Sequence, residues 1–110
     1  MAGTLSIVKT AFLTNAAANI YTPPASTIYL VLRHIHICNV TVAAATFSLY
    51  LGLTGGSLAG TELFKLQSVA ADSVFDYFMS QKMTSVDFLS GLASAGSTLT
   101  ITVEYESFVV

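Results

Sequence analysis

Thr98-Leu99-Thr100-Ile101-Thr102-Val103-Glu104-Tyr105-Glu106 alternates polar and apolar residues without a break. Side chains of a strand point to opposite faces in turn, so Leu99, Ile101, Val103 and Tyr105 share one face and the hydroxyls and carboxylates share the other. That pattern belongs to an antiparallel strand with one face on a core and one in water. The chain then runs into Phe108-Val109-Val110, three apolar residues. They are expected to dock on their own domain or on a neighbour.

Working outward, Ala44 to Leu51 alternates in the same way, with Ala45, Phe47, Leu49 and Leu51 against Thr46, Ser48 and Tyr50. Val74 to Met79 places Phe75, Tyr77 and Met79 opposite Asp76. Val86 to Ser94 reads as a strand followed by a turn at Gly96. Glu62 to Leu66 is a short strand or a helical turn. Ser26 to Asn39 is a long run rich in β-branched residues. Its strict alternation puts Ile28, Leu30, Leu32, His34, His36 and Cys38 on one face, and Tyr29, Val31, Arg33, Ile35, Ile37 and Asn39 on the other. Pro23-Pro24 marks the turn into it, since proline donates no ladder hydrogen bond. Leu5 to Leu13 and Asn19 to Thr22 supply two more strands, and Leu53 to Ser57, with its Gly-Gly pair, a loop. Leu58 to Phe78 can be drawn as a helix, but Gly60 and the β-rich end oppose it. About eight short strands, with turn signals roughly every 8 to 14 residues, predict an all-β fold. The specific expectation is one domain over residues 1–110, an antiparallel β-sandwich of jelly-roll type.

The composition narrows the function. Of 110 residues, 54% are apolar and only 9% charged, with a net charge of −2. Disordered chains show the reverse balance. Four scattered cations, Lys9, Arg33, Lys65 and Lys82, make no basic footprint, so no nucleic-acid partner is expected. Cys38 is alone, so no disulfide framework is. Hydroxyls replace the missing charge, with 13 Thr and 12 Ser. A free monomer usually stays soluble through mixed surface charge. This surface predicts a subunit covered by neighbours. No charged residue lies between Arg33 and Glu62, yet the window Ile35 to Leu53 carries His36, Asn39, Thr41, Thr46, Ser48 and Gly52 and reads as strand, so no membrane is expected. The N-terminal residues lack the basic and apolar blocks of a secretory signal, which leaves the acceptor pattern Asn39-Val40-Thr41 uninformative.

The chemistry-bearing residues are few. His34 and His36 share a strand face with Cys38, but His34 to Cys38 spans about 13 Å along a strand, too far for one ion. No metal ligand is assigned from this row. Glu104 and Glu106 read as a solvated face, and Asp72 and Asp87 as turn residues. No G-x-S-x-G is present, and Gly52, Gly55, Gly56 and Gly60 make no phosphate loop. No catalytic residue, no cofactor and no enzymatic role are expected. Tyr21, Tyr29 and Tyr50 are candidate surface positions, because a phenol tolerates an edge. With His34, His36, Phe108, Val109 and Val110 they form the set of interface candidates.

Three segments carry a family likeness: Ile20-Tyr21-Thr22-Pro23-Pro24-Ala25, the strand ending His34-Ile35-His36-Ile37-Cys38-Asn39, and Phe47-Ser48-Leu49-Tyr50-Leu51-Gly52. Asp87-Phe88-Leu89-Ser90-Gly91-Leu92-Ala93-Ser94-Ala95 adds a fourth. Together they resemble a β-sandwich family of tailed-bacteriophage virion proteins, the capsid decoration and minor structural proteins. Ser85-Val86 departs from that family's pattern, where a Gly precedes the Asp. The resemblance implies a virion location, with the capsid surface favoured. It implies a homo-oligomer, a trimer by preference, against the major capsid protein or other virion subunits. A neck, tail or fibre component is the alternative, and a glycan- or receptor-binding module a further one.

Overall fold

The computed structural model describes residues 3–53, 56 and 59–109. Eight strands follow in chain order: β1 (Thr4–Phe12), β2 (Ala18–Tyr21), β3 (Thr27–Asn39), β4 (Ala45–Gly52), β5 (Glu62–Val69), β6 (Val74–Met83), β7 (Phe88–Ala93) and β8 (Leu99–Val109). They form two four-stranded antiparallel sheets, in the orders β1-β8-β3-β6 and β2-β7-β4-β5. Each sheet mixes early and late strands, and the chain crosses from one sheet to the other at every connection except β4–β5, which pair within one sheet. Eight strands wound this way make a jelly roll. Among the described residues no helix is long and apolar enough to cross a membrane.

The core lies between the sheets, where the alternating rows meet. Leu99, Ile101 and Val103 of β8 face Phe47 and Leu49 of β4 within one buried cluster, joined by Leu89 and Ala93 of β7. Tyr105 packs at its margin. The alternation read for β8 therefore holds; in β4 the row of Ala45, Phe47 and Leu49 enters the core, but Ser48 and Tyr50 of the other row are buried too. Around Phe47 the rings of Phe64 and Phe75 sit at 5.7 and 5.4 Å in tilted and edge-on geometry, the arrangement that aromatic quadrupoles favour.

Strand β3 departs from strict alternation. Leu30 and Leu32 are buried, and so are Ile35, Ile37 and Asn39. Parity switches at Arg33-His34, where the register against β8 and against β6 shifts. A bulge places two consecutive residues, Arg33 and His34, toward the outside. The expected grouping of Leu30 and Leu32 with His34, His36 and Cys38 is thus corrected: the leucines point inward and the other three outward. Strand β6 runs four residues beyond its expected end, because Gln81 and Met83 continue the inward row and pair with Leu32 and Leu30. Segment 62–69 is a strand and not a helical turn. Leu66 takes φ 51° and donates its N–H to Ser48 Oγ at 3.0 Å, which bends β5 against β4.

Two residues hold the sheet geometry through chemistry that alternation does not reveal. Asn39 is 1% exposed. Its amide nitrogen donates to the carbonyls of Ala43 and Val69 at 2.9 and 3.0 Å. Its carbonyl oxygen accepts from the N–H and hydroxyl of Thr41 at 2.9 and 2.7 Å. Asn39 of the acceptor pattern Asn39-Val40-Thr41 is therefore a buried clamp on this turn in the folded chain. Gly91 sits opposite Leu49 in the β4–β7 pair, and a Cβ there would stand 2.5 Å from the Ser48 carbonyl oxygen and 2.7 Å from Leu49 Cδ2. Backbone cannot swing aside as a side-chain tip can. Gly91→Ala is expected to cost about 1–3 kcal/mol in urea unfolding, the usual range for overpacking.

The C-terminal segment docks on its own sheet. Val109 pairs with Thr27 through the backbone, and the Phe108 ring stacks on Tyr29 at 4.6 Å. Val110 lies outside the described residues, as do Thr54, Gly55 and Ser57 of the expected loop.

Candidate functional site

The outer face of the sheet β1-β8-β3-β6 carries both histidines, Cys38 and several exposed apolar side chains. Residues directly opposite in an antiparallel pair lie on the same face, so the register defines rows across the sheet. One row is Ile7, Glu104, His34, Phe78; the next is Thr102, His36, Asp76. Beyond them come Phe12, Thr100, Cys38 and Val74 on one side, and Leu5, Glu106, Val31 and Lys82 on the other. Phe78 is 75% exposed and Leu5 68%, while Ile7, Phe12 and Val74 are each at least half exposed. Leu5, Ile7 and Phe12 stand on the edge strand β1 and Val74 and Phe78 on the edge strand β6, with the largely polar outward rows of β8 and β3 between them.

Polar groups on this face are tied to one another. Arg33 donates to Glu106 Oε1 at 2.8 Å and to Ser80 Oγ at 3.1 Å. Glu106 is therefore an ion-pair partner, where the sequence suggested only solvation. Lys82 Nζ stands 5.1 Å above the Tyr29 ring. At the centre, Asp76 Oδ1 lies 2.8 Å from His34 Nε2 and 2.6 Å from His36 Nδ1. The His36 hydrogen bond, followed by that of His34, holds the Asp76 carboxyl below its ordinary range. Phe78 stacks on the His34 ring at 4.3 Å and 4° and so fixes its plane. The three ligand atoms lie within 4.8 Å of one another.

The sequence-derived interface set divides on this geometry. Tyr29, His34, His36 and Phe108 belong to the sheet β1-β8-β3-β6, with the two histidines on its outer face. Tyr21 lies on β2, half-buried, its ring 5.1 Å from Tyr105 and its hydroxyl 3.3 Å from the Tyr105 hydroxyl. Burial first, and the Tyr105 hydrogen bond second, push the Tyr21 phenol above its ordinary range. Tyr50 is 7% exposed, which corrects its placement at the surface: it sits on an inner strand, paired with Ser90 on β7 and Glu62 on β5, and not at a sheet edge. Nothing is described for the side chain of Val109 or for Val110. Sequence reasoning missed Asp76, Phe78 and Arg33 as members of one face. The signal for Asp76 lay in its place on the polar side of β6, but only the pairing of β6 with β3 sets it beside the histidines. Cys38, on the same outward row, is not among the converging ligands.

No protein-family model matches the chain, and no curated protein matches it in sequence. Solved structures do resemble it. A chain from the Bacillus endospore appendages, described as disulfide-linked pili, aligns with TM-score 0.57 at 15% identity, over 99% of this chain and 90% of that one. The coat protein of Tobacco streak virus aligns with TM-score 0.54 at 9% identity, over 98% and 88%. VP2 of infectious bursal disease virus aligns with TM-score 0.52 at 7% identity, over 97% of this chain but 33% of VP2, so the chain spans about a third of that protein's length. At these identities the likeness is one of fold.

Proposed function

We propose that the chain is a structural subunit of a phage virion that decorates the head and stabilises its lattice. The observation that carries this reading is the outer face of β1-β8-β3-β6, where Leu5, Ile7, Phe12, Val74 and Phe78 stand exposed on a domain with 9% charged residues. Such a face is suited to burial against other subunits. The occurrence of the same fold in two viral coat proteins supports the reading by analogy of architecture. A copy that touches several capsid subunits gains by multivalency even where each contact is weak. Binding to the assembled lattice alone then stabilises that lattice by linkage.

The test is stoichiometry with function. Quantitative gel densitometry of purified particles is expected to give hundreds of copies, and particles lacking the protein should lose heat or osmotic resistance. Replacing Ile7 and Phe78 together by Glu should leave the domain folded and abolish binding to particles. A tail, neck or fibre role is the second reading, favoured by the alignment with a pilus-forming chain. It requires copies in multiples of three, six or twelve, or a filament of this chain, and heads indifferent to its loss.

A further inference from the structure

We propose that His34, His36 and Asp76 form a binding site for a zinc-type divalent transition metal on the outer face of β1-β8-β3-β6. The proposal is independent of the virion reading. A row of three ligands along one strand is too long for a single ion. The fold solves this by taking the third ligand from the neighbouring strand. His36 and Asp76 are direct register partners on β3 and β6, and the bulge at Arg33-His34 turns His34 onto the same face. All three ligand atoms fall within 4.8 Å of one another, with 2.8 and 2.6 Å between the imidazole nitrogens and Asp76 Oδ1. Tetrahedral zinc with bonds near 2.0–2.1 Å needs ligand atoms about 3.3 Å apart. Small side-chain rotations at an exposed sheet face reach that spacing.

The donor set selects the metal. Two imidazoles and one carboxylate suit zinc and its neighbours, whereas calcium and magnesium take oxygen ligands. Three protein ligands leave the fourth position facing outward, for water or for a side chain of a docked subunit. An ionised carboxylate only accepts hydrogen bonds, so the nitrogens now aimed at Asp76 carry protons. Metal binding moves each of these protons to the other ring nitrogen, and both imidazoles ligate in their neutral form. Phe78, stacked on His34, holds one ligand ring in place before the ion arrives.

Isothermal titration of the chelator-stripped chain with zinc tests this. The expected result is one zinc per chain, no uptake of magnesium or calcium, and visible absorption bands of bound cobalt(II) when it replaces zinc. Asp76→Asn should weaken zinc binding by more than about tenfold and His36→Ala by more than about a hundredfold, in line with losing a direct ligand and not only an orienting group. Cys38→Ser should bind as the parent does. Zinc should raise the thermal midpoint of the parent by several degrees and leave that of His36→Ala unmoved, because only a ligand of the folded state stabilises it. Circular dichroism confirms folding, and His34→Gln serves as a second variant should His36→Ala fold poorly. No saturable uptake by the folded parent, or equal affinity in the ligand variants, overturns the proposal. So does loss of binding in Cys38→Ser.

Discussion

Phe47→Ala is expected to destabilise the domain by about 3–5 kcal/mol, the range for removing a buried aromatic side chain. Phe47 is 1% exposed and is among the largest of the fully buried side chains. It projects from the middle of β4, and the rings of Phe64 on β5 and Phe75 on β6 close around it. One ring thus bridges both sheets, since β5 and β6 belong to different ones. Its removal deletes transfer free energy and two aromatic contacts and leaves a cavity that strands fixed by ladders cannot collapse to fill. Small domains hold only about 5–15 kcal/mol in total, so the variant is expected to unfold early in urea or to be partly unfolded at 37 °C. Phe47→Leu should recover roughly half of the loss, because it refills part of the volume. A urea midpoint within error of the parent for the alanine variant would show that the two sheets do not depend on this contact.

Asn39→Leu is expected to cost about 3 kcal/mol, although it adds apolar surface to a buried site. Each buried polar group left without a partner costs about 1–3 kcal/mol. The change strands the carbonyls of Ala43 and Val69 and the N–H of Thr41, all of which Asn39 satisfies in the folded chain. It also releases the turn that links β3 to β4, since Asn39 binds both limbs of it. Asn39→Asp keeps the acceptor for Thr41 but replaces the donating amide by a buried carboxylate facing two carbonyls, and should be at least as damaging near neutral pH. Asn39→Ser, which keeps one donor, should fall between parent and Leu. Chemical unfolding of the three variants, ordered in this way, checks the argument; a leucine variant as stable as the parent would refute it.

Much of the fold was legible because alternation is a local property. In β8 the apolar row is apolar and the other row polar up to Glu106, so two-residue periodicity assigns both faces; in β4 and β6 it assigns the core row, Phe47 and Leu49 or Phe75 and Met79, although Tyr50, Val74 and Phe78 break the polar one. Turn chemistry was legible for the same reason: Asp87 accepts from the Thr84 N–H at 2.8 Å, as an Asp beside a strand is expected to. Strand β3 was legible as a strand but not in its faces. Both of its rows are largely apolar, Leu30 and Leu32 on one and Val31, Ile35 and Ile37 on the other. With no polar row to set the phase, an inserted residue leaves no mark in the pattern. The candidate site was half legible: the His-x-His pair stands in the sequence, while its partner lies forty residues away on another strand.

The sequence by itself determined that this chain folds as short antiparallel strands around an aliphatic and aromatic core, with a surface poor in charge. Hydrophobic burial and side-chain alternation act within each strand, and a single strand carries them in full. The tertiary structure alone decided that β6 lies beside β3, that the bulge at Arg33-His34 turns two imidazoles outward, and that Asp76 meets them. Register is a property of pairs of strands, set by ladder hydrogen bonds and by packing across the sheets, and no strand holds that information alone.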